Sequence, residues 1–152
     1  MIVDECGVIG HIKKLAQNDS SCEHCAVAIA ENKVSEKGCQ YSVVDYCMIE
    51  DIGGKTNTGS TTIPKAVTCA LINTCKNTKK IPVIIHTHIF GYEHSDPLSF
   101  SPQDMSFIKK FSQYVSEIGN IPVCIFIVTN GDKVLYCYSD IGNMKYYFKE
   151  EG

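Results

Sequence analysis

The sequence predicts an α/β fold in one domain, a mixed central β-sheet flanked by about three helices. Three observations predict it. Two runs, "IPVIIHTH" (81–88) and "IPVCIFIVT" (121–129), are apolar almost throughout, the pattern of strands buried on both faces. Between them, "SPQDMSFIKKFSQYVSEIG" (101–119) repeats its apolar residues at helical spacing. The size and composition are those of a single globular domain spanning 1–152: 152 residues, 44% hydrophobic and 20% charged.

The elements follow in chain order. Residues 4–17 place Val8, Ile12, Leu15 and Ala16 on one helical stripe, with an acidic start and "NDSS" after it. "HCAVAIA" (24–30) is a short run of small apolar residues, read as a buried strand. "ENKVSEKG" (31–38) reads as a turn and short connection. "CQYSVVDYCMIE" (39–50) is rich in β-formers, with Val44 and Tyr46 alternating with polar positions. "DIGGKTNTGSTT" (51–62) is a polar, Gly-rich loop. The next helix has Pro64 near its first position and "AVTCALINTC" as its body. The strand 81–88 then leads to the helix 101–119. There Ser101 is the expected N-cap, Pro102 the first position, and Met105, Ile108, Phe111, Val115 and Ile118 the buried stripe. After the strand 121–129, "NGD" turns the chain into "KVLYCYS", and "MKYYFK" adds an edge strand.

Composition excludes several classes of function. A net charge of −3 gives no basic footprint for nucleic acid. No apolar run approaches the roughly 18 residues of a membrane span. "MIVDECGVIG" has no basic segment ahead of an apolar one, so no secretory signal is expected and the cytoplasm is the expected location. The nine cysteines are odd in number and mostly sit in apolar runs, which argues against a disulfide framework. One pair, Cys22-Glu23-His24-Cys25, has metal-like spacing. A zinc ribbon needs a second such pair, and there is none.

The stretch "HTHIFGYEHSDPLSFSPQD" (86–104) carries the strongest chemistry. His86 and His88 are two apart in a strand, so they project from one face, roughly 7 Å apart along the chain. They stand at the C-terminal end of a buried strand, where open α/β sheets place their sites. Asp104, in the first turn of the next helix, can return a carboxylate to the same place. Two imidazoles and one carboxylate leave a fourth tetrahedral position open, as catalytic zinc does. Each part alone has a plainer explanation: H-x-H pairs occur in cores, and S-P-x-D is a good helix start. A hydrolytic metal also needs a base for its water. Glu5 falls at the start of the first helix, where an acid is simply favourable. Glu23, at the entry to the strand 24–30, is better placed.

Taken together, these residues resemble the JAMM (MPN-type, prokaryotic JAB-like) zinc metalloproteases. "SCEHCAVAIA" is similar to the family's glutamate segment, His86-Thr87-His88 to its H-x-H, and Ser101 to Asp104 to its S-x-x-D. The order of elements agrees over nearly the whole chain. Two features depart from the pattern: Ile89 stands where the family usually has Pro, and the spacer 89–100 is longer. Glu93, His94 and Asp96 in that spacer therefore remain alternative third ligands. The spacer itself reads as a lid or substrate-contacting loop.

The resemblance implies an MPN (cytidine-deaminase-like) domain with Zn²⁺ on His86, His88 and Asp104. It implies Glu23 as general base and Ser101 as donor to the oxyanion. The implied activity is hydrolysis after the C-terminal tail of a ubiquitin-like or sulfur-carrier-like protein, in some systems beside an E1-like enzyme. A catalytically inactive MPN-like scaffold is the alternative. A zinc deaminase is disfavoured, because its H-x-E or C-x-E followed by P-C-x-x-C is absent.

Overall fold

The structure, a computed structural model, describes residues 2–19, 22–36, 38–52, 55–56, 61–88, 98–118 and 120–151. In chain order the elements are β1 (Ile2–Val3), α1 (Val8–Asn18), β2 (Cys25–Ser35), β3 (Gly38–Met48), a 3₁₀ turn (Ile49–Ile52), β4 (Lys55–Thr56), β5 (Thr61–Thr62), α2 (Lys65–Thr78), β6 (Ile81–Thr87), α3 (Pro102–Ile118), β7 (Val123–Thr129), β8 (Val134–Asp140) and β9 (Lys145–Glu151). Seven strands form one mixed sheet in the order β1-β3-β2-β6-β7-β8-β9, and β4 pairs with β5 separately. The expected α/β class, with three helices among the described residues, is what the chain adopts.

Strands β6 and β7 run parallel in the middle of the sheet, joined by the α3 crossover. This explains why both are apolar on alternate and intervening positions alike. One face of the sheet carries Ala26, Ala28, Ile81, Val83, Ile85, Ile125 and Ile127 and is covered by Val8, Ile9 and Ile12 of α1. The other carries Cys25, Val27, Ile84, Cys124 and Phe126 and is covered by Leu71, Ile72 and Cys75 of α2 and Ile108, Phe111 and Val115 of α3. The result is a three-layer sandwich, with His86 continuing the face covered by α2 and α3.

Several local expectations change. The first helix begins at Val8, not at residue 4. Gly7 takes a left-handed φ of 80° before it, and the Asp4 carboxylate accepts hydrogen bonds from the N–H groups of Ile9 and Gly10, at 3.1 and 3.2 Å. Glu5 therefore lies outside the helix, and it pairs with Lys33 at 3.6 Å. The segment read as a turn and connection at 31–38 is instead the outer half of a β2–β3 hairpin, with Asn32 paired to Tyr41 and Val34 to Cys39. The "NGD" turn is as expected: Asn130 Oδ1 accepts from the N–H groups of Asp132 and Lys133, and Gly131 has a φ of 94°. The β9 edge strand also forms. Residues 89–97, which include Glu93, His94 and Asp96 and most of the spacer, lie outside the described residues. Among the described residues, no helix is long and apolar enough to cross a membrane.

The core supplies one stability prediction. Ile127 is fully buried in β7, away from the histidines. Ile127→Ala is expected to cost about 2–5 kcal/mol, as lost transfer energy plus a cavity. Urea unfolding should show this as a lower midpoint with an unchanged slope.

Candidate metal centre

The end of β6 is fixed before any side chain is considered. Thr87 pairs with Thr129 across the parallel ladder, and the N–H of His88 donates to the Thr129 carbonyl at 2.9 Å. His88 thus stays in extended geometry one residue beyond β6. With His86 it projects toward the N-terminus of α3.

That N-terminus is built by a reciprocal cap. Ser101 Oγ accepts from the Asp104 N–H at 3.0 Å, and Asp104 Oδ2 accepts from the Ser101 N–H at 2.8 Å. The Ser101 carbonyl takes the first helical bond, from the Met105 N–H at 2.9 Å. This is the capping box expected of S-x-x-[acid]. It locks the Asp104 side chain against the helix start, with both carboxylate oxygens turned to the histidines. His86 Nε2 lies 3.1 Å from Asp104 Oδ1, and His88 Nε2 lies 3.0 Å from Asp104 Oδ2. Phe100 packs beside His86, with ring centroids 6.5 Å apart.

The three residues fit a metal. Their ligand atoms all lie within 4.8 Å of one another. Donors about 2.0–2.2 Å from a tetrahedral zinc stand about 3.3 Å apart. The two imidazole–carboxylate separations fall just short of that. His86 Nε2 is buried and, despite its closeness to Asp104, has no hydrogen bond of acceptable alignment. A buried ring nitrogen without an aligned partner is costly unless something else takes its lone pair. Burial pushes the Asp104 carboxyl up, but His86, His88 and the Ser101 N–H outweigh it and hold the group far below the usual carboxylate range. Asp104 therefore stays anionic at any physiological pH, as a carboxylate that could hold a metal must.

Glu23 enters from the neighbouring strand. The β2–β6 pairing sets Cys25 opposite His86. One step on, the Thr87 N–H donates to the His24 carbonyl at 2.9 Å, and Thr87 Oγ1 accepts from the His24 N–H at 2.8 Å. The next position in this register puts Glu23 opposite His88. Residues directly opposite share a face, with Cβ atoms about 4.5–5.5 Å apart. Glu23 is half-buried, and its charge, after burial itself, helps push the Cys25 thiol up. That effect requires the carboxylate to lie near the residue opposite His86.

Two contributors were not visible in the sequence. Thr87, the residue between the histidines, is the clamp that holds the Glu23–His24 segment to β6. His24 is buried, with Nδ1 3.0 Å from Glu50 Oε1 and Nε2 3.0 Å from the Asp19 carbonyl. Cys25 turns inward with the core, and burial is the main reason its thiol is pushed up. Compared with known proteins, the chain matches no protein-family model and no curated protein.

Proposed function

We propose that the chain is a zinc-dependent peptidase or isopeptidase on an MPN-type (JAMM) domain. Its proposed reaction is hydrolysis of the bond after the C-terminal tail of a ubiquitin-like or sulfur-carrier-like protein, in the cytoplasm. The single observation that carries this reading is the convergence of His86, His88 and Asp104 at one end of the sheet, with Glu23 next in register. His86, His88 and Asp104 would hold the ion. Zinc there supplies Lewis acidity and a water that ionises near neutrality, about pH 7.

The chain's own residues supply the rest. Glu23 accepts the proton of the attacking water and returns it to the leaving amine. Ser101 Oγ accepts its cap bond from the Asp104 N–H, and a hydroxyl that accepts still has its own proton to give. Donated to the carbonyl oxygen, that proton stabilises the charge that develops as the tetrahedral carbon forms. The Thr87 clamp keeps base and ligands at a fixed separation, so little ordering remains when substrate arrives. A ubiquitin-like substrate suits the reading through the resemblance in sequence, and an E1-like enzyme is the partner it would bring.

The test is cleavage of a ubiquitin-like protein fused through its C-terminal tail to a reporter. The expected result is hydrolysis that a chelator abolishes and added Zn²⁺ restores. Zinc binding without cleavage of any such fusion would favour the inactive scaffold. Cleavage indifferent to the chelator would overturn the metal reading altogether.

A further inference from the structure

The segment joining α1 to β2 carries a second group of metal-ligating side chains. Asp19, Cys22 and His24 bring a carboxylate oxygen, a sulfur and a ring nitrogen within 4.8 Å of one another. None of them belongs to the His86 centre. His24 is only 3% exposed, and both ring nitrogens are engaged. Nδ1 faces the Glu50 carboxylate, and Nε2 faces the Asp19 carbonyl, with the Asp19 carboxylate 3.8 Å away. The two contacts grip the ring from both sides and hold it in one orientation. Nε2 thus points into a corner of oxygen and sulfur donors. Protons and metal ions compete for the same lone pair.

We propose that Asp19, Cys22 and His24 form a second cation site, for Zn²⁺ or a metal of similar softness, separate from the His86–His88–Asp104 centre. The donor set decides the metal class. A thiolate, an imidazole and one carboxylate suit zinc and its neighbours and do not suit Mg²⁺ or Ca²⁺, which take oxygen ligands. Glu50 supplies an independent sign. A metal-bound histidine commonly donates its other N–H to a carboxylate, which fixes the ring, and His24 Nδ1 already stands in that relation to Glu50. On binding, the Cys22 thiol releases its proton to solvent and Nε2 offers its lone pair, while Nδ1–H stays on Glu50. Three protein ligands leave the fourth position to water. The consequence falls on Glu23, which stands between Cys22 and His24. An ion there pins the backbone on both sides of the proposed base, on top of the Thr87 clamp.

Cobalt separates the two centres. The donors of the His86 centre are nitrogen and oxygen only, so thiolate-to-Co²⁺ charge-transfer absorption in the near ultraviolet marks a cysteine site, and its loss on Cys22→Ser assigns it to the second centre. The whole chain, loaded with Co²⁺, should show that absorption. It should persist in His88→Ala and disappear in Cys22→Ser. Asp19→Asn, at a half-exposed position, should need at least about 10-fold more Co²⁺ to reach the same intensity. Circular dichroism of each variant verifies that it is folded. No such absorption in the wild-type chain, or absorption that survives Cys22→Ser, would overturn the site. Absorption present in both wild type and His88→Ala supports it whatever becomes of the first centre.

Discussion

Glu23→Gln should leave the zinc content unchanged and lower the rate of hydrolysis by about 10²–10⁴-fold. Glutamine matches the size of glutamate and keeps its hydrogen-bonding outline, but it cannot take a proton from water. The segment that carries it is held by backbone and by Thr87, through the two bonds at 2.9 and 2.8 Å, and neither bond involves the Glu23 side chain. The substitution therefore removes chemistry and leaves positioning. A base that acts on the water and not on the bound tail, as proposed, should show its loss in kcat, with KM little changed. Glu5→Gln is the control. Glu5 is 55% exposed and faces Lys33 at 3.6 Å, so its change should leave activity near wild type. An active Glu23→Gln beside a crippled Glu5→Gln would mean that the base comes from the wrong segment.

The parts of this site that could be read from sequence are those that close locally. The capping box spans Ser101 to Asp104, and its residues, its proline and its apolar stripe sit side by side in the chain, so α3 and its carboxylate were legible. The H-x-H pair was legible for the same reason, as a strand period of two on an apolar run. The pairing of β2 with β6 was not, since it joins residues about sixty positions apart; Glu23 could be picked as an acid at a strand entry, but not placed opposite His88. The outer half of the β2–β3 hairpin was missed because burial leaves no pattern there. Asn32, Lys33 and Val34 are all exposed, so their strand geometry comes from ladder bonds to β3 and not from a core-facing alternation. The early segment misled in another way. Spacing drew attention to Cys22 with Cys25, whereas the fold buries Cys25 beneath α2 and α3 and groups Cys22 with Asp19 and His24. Glu50, which orients His24, arrives from the 3₁₀ turn after β3, beyond the reach of any local motif.

Asp104→Asn is the sharper test of the first centre, because the proposed reading gives Asp104 two jobs that the substitution separates. As a helix residue it accepts from the Ser101 N–H, and an asparagine oxygen can do the same. As the proposed ligand it brings a negative charge between two imidazoles, and asparagine brings none. The expected result is a folded protein whose zinc affinity at this centre falls by more than the roughly 10–100-fold that outer-shell changes cost. His88→Ala, which deletes a ligand outright, should do the same. Ser101→Ala gives the opposite pattern: a loss of about 0.5–2 kcal/mol from the helix start, with zinc retained. Thermal unfolding with and without Zn²⁺ reads both effects at once. Free zinc at about 100 times its dissociation constant stabilises a binding protein by about 2.7 kcal/mol. Wild type and Ser101→Ala should each gain that increment from the first centre, and Asp104→Asn and His88→Ala should lose it. Elemental analysis should then fall by one zinc per chain in the last two, and not to zero if the Cys22 site is filled. If His86, His88 and Asp104 were only a hydrogen-bonded cluster, zinc would raise the unfolding temperature of wild type and Asp104→Asn by the same amount, and that result would remove the metal from the centre.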